Sequence, residues 1–500
     1  MRAPPGWSSP KISHCGPALP REAGRVAVEW STLDNEESTY RQPRRMPGNA
    51  QDFDIGMLRN KVHAIGATLS VGLGKVASRF VEDMLLGMLV SESVRLTEIA
   101  RALGESIPMH ATHKRLSRNL GNVRVGDVVA ENLLAEGAEV VRDDALLVID
   151  LFEVVKPYAE KMEFLNSPSR PDRDVSDGAG PKDDAYRGYH VCEIFGWDVH
   201  GGPLPRYEDL ARQMGSEPDA EHDISAWDNQ VVTPLAQALF SPNAPAFRSE
   251  SDEILDLVQR VDTACQRRCL FAVDTVGLLQ PKRSLMRHSV ELLAKQRGLP
   301  ELLAATDCRF AARVPGDYAL LHGRLETTAR ELGESCETPY GVTLYKHQSD
   351  VDIGLFVHFG AVPVRLPANP VKPLWLVVAK GMAGEPRPAA TDLDPFVILT
   401  TEPMPRNRKV IGDLVWSFLS YWDAIQTNQA IKGQFDFDDV RVLTYDRLRN
   451  LGILVLAASF VESQWPGIAL TKSLFRAPRG RSFQFYRAEA PEEGTPTEAS

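Results

Sequence analysis

The 500-residue sequence has no long apolar run free of charge. Its most apolar region, LSVGLGKVASRFVEDMLLGMLV (69–90), carries Lys75, Arg79, Glu82 and Asp83. Those charges argue against a bilayer span and for a buried helical hairpin, so no membrane partner is expected. Cysteine is sparse and scattered: Cys15, Cys192, Cys265, Cys269, Cys308 and Cys336. Only Cys265 and Cys269 are close, at i,i+4, and no paired His or Cys elsewhere completes a zinc set. No stretch reads as a signal peptide, so disulfides are not expected and a reducing cytoplasm is. Internal repeats are absent. So is any surplus of positive charge: 56 Lys and Arg face 67 Asp and Glu, a formal net charge of −11. That balance counts against a broadly phosphate-binding surface, although a local basic patch can sit on an acidic chain. Local clusters do occur, at RQPRR (41–45), THKRLSRNL (112–120), PKRSLMRH (281–288), PRNRK (405–409) and KSLFRAPRGR (472–481).

With 43% hydrophobic and 25% charged residues, the composition is globular, and the length predicts two or more domains. Residues 1–50, rich in Pro, Ser and Arg without a period, and the terminal 486–500 read as disordered tails. Residues 51–140 carry a helical pattern. RLTEIARALG (95–104) puts Leu96, Ile99, Ala100 and Leu103 on one face and stops at Gly104. After a short turn, MHATHKRLSRNLG (109–121) sets Lys114, Arg115 and Arg118 around Leu116 and Leu120. Helix, turn, basic helix is a helix-turn-helix-like order, which makes those three cations candidate DNA contacts. An ordinary helical hairpin with a solvated basic face has the same pattern.

Two apolar runs then end on a carboxylate: ALLVID (145–150) at Asp150 and CLFAVD (269–274) at Asp274. Both read as buried strands. A strand-end Asp is often a plain turn residue. If the two strands are neighbours in one sheet, however, their carboxylates meet and can hold Mg²⁺ or Mn²⁺, hard cations that prefer oxygen. Two such ions activate a water or 3′-hydroxyl and steady the leaving oxygen of a phosphodiester. Between and beyond these runs, GYHVCEIFGWDV (188–199) alternates like a strand, and SESDEILDLVQRVDTAC (249–265) reads as a helix capped by Ser249 or Ser251. RSLMRHSVELLAKQRG (283–298) also reads as a helix, residues 316–400 are rich in short β-like runs, and 412–435 is a long helical pattern.

Several segments, in order and spacing, resemble bacterial insertion-sequence DDE transposases, closest to insertion sequence family four. They are DLFEVVKPYAEKMEFL (150–165), DVSDGAG (174–180), GYHVCEI (188–194), FSPNAPAFRSESDEIL (240–255), LFAVD (270–274), RFAARVPGD (309–317), PVRLP (363–367) and FDFDDVRVLTYDRLRNL (435–451). The resemblance implies an α/β chain: a ribonuclease-H-like mixed sheet core with a helical amino-terminal DNA-binding domain and a β-rich insertion. The domains it implies are 51–140 for DNA binding, 141–315 for the first part of the core, 316–402 for the insertion and 403–485 for the rest of the core. It implies Asp150 and Asp274 as the first two acids of a catalytic triad and as metal ligands, with Mg²⁺ or Mn²⁺ in a two-ion site. It also implies double-stranded DNA, the ends of an element, as the partner, a homodimer on DNA, and a cytoplasmic location at the bacterial nucleoid.

The third motif of that family is written Y-x2-R-x3-E-x6-K. Lys432 matches its Lys and is the remaining catalytic candidate; counting back, the Glu position is Ile425, the Arg position Tyr421 and the Tyr position Phe418. At about 100° per residue these positions share one helix face, so the geometry of the motif survives without its acid and its guanidinium. A one-residue slip brings in Gln426, a neutral ligand, and Asp423 lies about 200° around the helix from Ile425. After Asp274 the family's Arg-Gly is replaced by Thr275 and Val276. The expectation is therefore a transposase-like protein impaired in metal-assisted strand cleavage and transfer, with an incomplete ion site. The alternatives are a non-catalytic DNA-binding protein derived from a transposase, an active enzyme recruiting a third acid such as Asp423, Asp436 or Glu402, and, remotely, a magnesium-dependent phosphoesterase using Asp150 and Glu153.

Overall fold

The computed structural model describes residues 55–143, 145–156, 159, 161–166, 188–199, 230–276, 298–348, 351–383, 396–419, 421–437, 440 and 442–464. Both expected tails, the DVSDGAG segment, the expected helix over 283–297, the clusters at 41–45, 281–288 and 472–481, and Asp438, Asp439 and Arg441 lie outside them.

Five helices come first: α1 (Ile55–Leu69), α2 (Lys75–Ser91), α3 (Leu96–Leu103), α4 (Met109–Leu120) and α5 (Val123–Val140). The charged apolar region 69–90, read as a hairpin in itself, is the turn and second arm of one whose first arm is α1; no described helix is long and apolar enough to cross a membrane. Helix α3 stops where the sequence stops it, at Gly104 with φ 59°, a left-handed conformation that costs a Cβ-bearing residue more.

The sheet follows. Strands β1 (Leu146–Val155), β2 (Gly188–Val199) and β3 (Gln230–Phe240) run antiparallel in turn. Helix α6 (Glu250–Ala264), capped by the Ser249 hydroxyl on the Asp252 N–H at 3.1 Å, leads to β4 (Leu270–Asp274). The short α7 (Leu299–Ala304) precedes β5 (Phe310–Arg313). Strand β4 lies parallel to β1 on one side and to β5 on the other, which gives the order β3-β2-β1-β4-β5.

Residues 319–400 supply β6 (Ala319–His322), β7 (Leu325–Thr328), α8 (Ala329–Ser335), β8 (Tyr340–Gln348), β9 (Val351–Leu366), β10 (Asn369–Ala383) and β11 (Phe396–Thr400). They extend the same mixed sheet, because β11 pairs with β5 and β10 pairs with β11. The chain then forms α9 (Arg408–Leu419), α10 (Tyr421–Gly433) and α11 (Tyr445–Gln464). The single helical pattern read over 412–435 is thus two helices.

Alternation along the strands assigns the faces. Leu147, Ile149, Phe271 and Val273 pack with α6 and α7 on one side. Leu146, Val148 and Ala272 pack with Val415, Phe418, Tyr421, Ala424 and Ile425 of α9 and α10 on the other. The amino-terminal helices share a third cluster with α11 and with Phe152, Val154, Tyr189 and Val191 of the sheet. Helices α1–α5 and the sheet therefore bury a common core across the boundary drawn at 140.

One contact fixes how α11 sits on α4 and α5. The Asn450 amide donates to the Leu120 and Asn122 carbonyls at 2.8 and 2.9 Å, and it does so over Gly126, where a Cβ would stand 2.0 Å from Asn450 Oδ1. Gly126→Ala is expected to destabilise the fold by about 1–3 kcal/mol, since the buried amide must move off two carbonyls to make room. Urea unfolding of the parent and the variant measures it.

Candidate functional site

Strand β1 does not end on Asp150. It continues to Val155, and Asp150 stands in mid-strand, directly opposite Glu193 of β2. On the other side, β1 and β4 are in register at Leu146–Leu270, Leu147–Phe271 and Val148–Ala272. The same offset brings Asp150 level with Asp274, and Asp274 is paired with Arg313 of β5. Across four neighbouring strands, one level of the sheet therefore reads Glu193, Asp150, Asp274, Arg313. These positions lie on the face that α9 and α10 cover. The three carboxylate residues are 0%, 4% and 6% exposed in that order.

Helix α10 lays the face that carries Tyr421, Ile425 and Lys432 on this row. Tyr421 stacks on Phe418, with ring centroids 5.9 Å apart and planes within 5°. Its hydroxyl donates to the Ile149 carbonyl at 3.2 Å and accepts the Asp274 N–H at 3.3 Å. The paired register of β1 and β4 ends at Val148–Ala272, two residues before the acids, so a side chain bridges the two strands at the level of the acids. Burial, then the Asp274 and Asp150 carboxylates, push the Tyr421 phenol well above its ordinary pKa and keep it a neutral hydrogen-bonding group. Burial, then Asp150, Glu193 and Glu250, do the same to the Cys192 thiol beneath.

One turn on, Ile425 is 4% exposed and packed in the apolar cluster with Val148 and Ala272. A further turn brings Asn428, whose amide donates to Glu193 Oε1 at 3.0 Å. Lys432 then donates to Glu193 Oε2 at 2.5 Å, its ammonium 4.5 Å from the centre of the Phe152 ring. At the other end of the row, Asp274 Oδ2 accepts from Arg313 Nη1 at 3.2 Å and Asp274 Oδ1 from the Val276 N–H at 2.8 Å.

The structure thus brings Asp150, Asp274, position 425 and Lys432 to one place. Glu153, three residues from Asp150, falls on the opposite face of β1, so the pair invoked for a phosphoesterase does not converge. Of the other acids considered, Glu402 is held by Arg309 at 2.8 Å through both oxygens, Asp436 is exposed at φ 54°, and the Asp423 side chain lies outside the description.

A two-ion site needs carboxylate oxygens open to cations at about 2.0–2.6 Å. Here both oxygens of Asp274 and both of Glu193 receive protein donors, and the third-acid position is an alkyl group. No group of three or more His, Cys, Asp or Glu side chains able to hold a metal occurs among the described residues. The expected two-ion site does not fit this donor set.

Sequence reasoning missed Glu193, Asn428 and Arg313. Two signals were there: Glu193 is the one acid inside the apolar run VCEIFGW, and CRFAAR (308–313) shares Cys, Phe and Ala with CLFAVD (269–274) and ends on Arg where the other ends on Asp.

The candidate DNA contacts lie apart from this row on α4. Lys114 and Arg118 are exposed one turn apart, with exposed His110 one turn before them. Arg115 points inward instead, donating to Asp83 at 2.6 Å and to Glu105 at 2.9 Å, and Glu105 also accepts from Thr112 at 2.7 Å. That arrangement gives Arg115 a structural role in bracing the α3–α4 turn.

No family model matches the chain, and no curated protein matches it in sequence. Among solved structures it is distantly similar to a piggyBac transposase in a synaptic complex with hairpin DNA, at 10% identity over 84% of this chain and 77% of that one, with a TM-score of 0.35. A likeness that slight decides neither family nor activity, so the insertion-sequence resemblance rests on the residues themselves.

Tyr421→Phe removes the bridge between Ile149 and Asp274 and leaves a buried carbonyl and N–H without it; the expected cost is about 1–3 kcal/mol. The raised phenol pKa gives a sign as well. Above about pH 10 the unfolded chain releases the tyrosine proton while the folded chain keeps it, so stability falls as pH rises there. The Phe variant is expected to lose less stability between neutral and alkaline pH than the parent, read by chemical unfolding at each pH.

Proposed function

We propose that the chain is a DNA-binding protein built on a DDE-transposase core that has lost the means to cut DNA. The observation that carries this is the level row of Asp150 and Asp274 on neighbouring parallel strands, with Ile425 buried beside them at the position where the family's third acid belongs. The strand order β3-β2-β1-β4-β5, antiparallel for three strands and parallel for the next two, with α6 between β3 and β4, supports a ribonuclease-H-like reading of the core. An arrangement with Asp at both strand positions and the motif face of α10 laid over them is hard to account for without a nuclease ancestor. The same face without its acid and its guanidinium leaves no group to hold a second ion or steady a phosphate.

DNA recognition falls to the amino-terminal helices. Helix α4 follows α3 through a short turn pinned by Glu105, and it turns His110, Lys114 and Arg118 to solvent as a stripe. A basic stripe on a braced helix suits phosphate contacts, and a duplex is the chemistry it fits. A homodimer on element ends and a nucleoid location belong to the same proposal.

The full chain is expected to bind duplex DNA with an affinity that falls as salt rises. Lys114→Glu with Arg118→Glu should weaken binding and lower the salt slope by about two, one for each lost phosphate contact. Unchanged binding in that variant would place the DNA surface elsewhere. In parallel, the parent should leave supercoiled DNA intact in Mg²⁺ or Mn²⁺; nicking that Asp150→Ala abolishes would overturn the non-cleaving reading.

A further inference from the structure

We infer that two cations of the chain itself, Arg313 and Lys432, stand in for divalent ions at the carboxylate row, so that this core is held together without metal; the inference rests on the transposase-derived reading above.

The argument begins with charge. Glu193, Asp150 and Asp274 lie side by side on three adjacent strands, where facing side chains come within about 4.5–5.5 Å at Cβ. All three are buried, and like charges so close in a poorly solvated site repel strongly unless cations are present. In a metal-dependent core that compensation comes from the ions. Here it comes from the two ends of the row. Arg313 continues the row on the next strand and meets Asp274; Lys432 descends from α10 and meets Glu193.

Neither cation is a surface group folded in by chance. Their side chains are 14% and 4% exposed. Each is seated on an aromatic face: the Arg313 guanidinium lies 4.6 Å from the Phe396 ring centre and the Lys432 ammonium 4.5 Å from that of Phe152. Asn428 occupies the remaining oxygen of Glu193, and Tyr421 ties the strands on either side of the Asp150–Asp274 gap. Lys432, the motif residue expected to serve chemistry, is thereby a positioning residue that holds β2 to α10. Its target, Glu193, is a residue the motif does not contain.

The experiment is thermal unfolding of the full chain in EDTA, in millimolar MgCl2 and in millimolar MnCl2. The parent is expected to show no metal-dependent rise in Tm that Asp150→Asn removes. Arg313→Ala, which frees Asp274, is expected to acquire an Mn²⁺-dependent rise of about 2 °C or more, abolished by adding Asp150→Asn. A parent with an Asp150-dependent rise overturns the inference, and so does a folded Arg313→Ala that gains none. If Arg313→Ala does not fold, Glu193→Gln, Lys432→Met and their combination decide the matter. A self-contained ion pair predicts a double variant with a Tm above that of at least one single variant, whereas losses that simply add overturn it. DNA retention by the same parent sample is scored separately, so failure of the DNA-binding proposal and failure of this one are told apart.

Discussion

Buried charge is the constraint around which this structure is arranged. A sheet level that carries Glu193, Asp150 and Asp274 on adjacent strands closes under a helix with a cation on each of its two outer carboxylates, Lys432 on Glu193 and Arg313 on Asp274. The register of β1 with β2 and β4 sets the acids in line, the register of β4 with β5 adds Arg313 to that line, and α10 delivers Tyr421, Asn428 and Lys432 from above. Strand order, helix placement and side-chain choice answer one electrostatic requirement.

The face of α10 that the motif spacing picks out carries aromatic, alkyl and ammonium groups. Tyr421, Ile425 and Lys432 share a side of α10 by the helical period, while Phe418 sits at the end of α9 and reaches them by stacking on Tyr421. The aromatic and alkyl groups of this face pack against Val148 and Ala272 as an ordinary core contact. Replacing a buried ion pair with apolar groups is often neutral or stabilising, while breaking one partner is costly. That asymmetry is consistent with the proposed descent, since an apolar residue at position 425 is tolerated in a buried site while Asp274 keeps Arg313 beside it.

Much of the fold was legible in the sequence where the signal was local. The run GYHVCEIFGWDV is β2 residue for residue, Ser249 caps its helix, and Gly104 ends α3. The pairing of the two Asp-bearing strands was also legible, since both are short apolar runs of the same form. The extent of β1 was not: Asp150 was read as an end because a carboxylate inside a buried strand is improbable until its partners are known. The cross-strand neighbour of Asp150, Glu193, lies on the next strand, and Lys432, which holds Glu193, lies 239 positions beyond that, so nothing in the local pattern announces them. Arg115 was misjudged for the same reason. On a helical wheel it belongs to the basic stripe, and only the fold reveals Asp83 and Glu105 waiting beside it.

The molecule thus separates two uses of positive charge. Arg313, Lys432 and Arg115 are spent inside, each on a carboxylate of its own chain, while Lys114 and Arg118 are left to solvent on an acidic protein. The most direct test of the central claim is anomalous diffraction from crystals soaked in MnCl2. The account predicts no manganese peak between Asp150 and Asp274, with Arg313 remaining on Asp274 and Lys432 on Glu193. A manganese ion bridging Asp150 and Asp274, with the Arg313 guanidinium swung away, would contradict it.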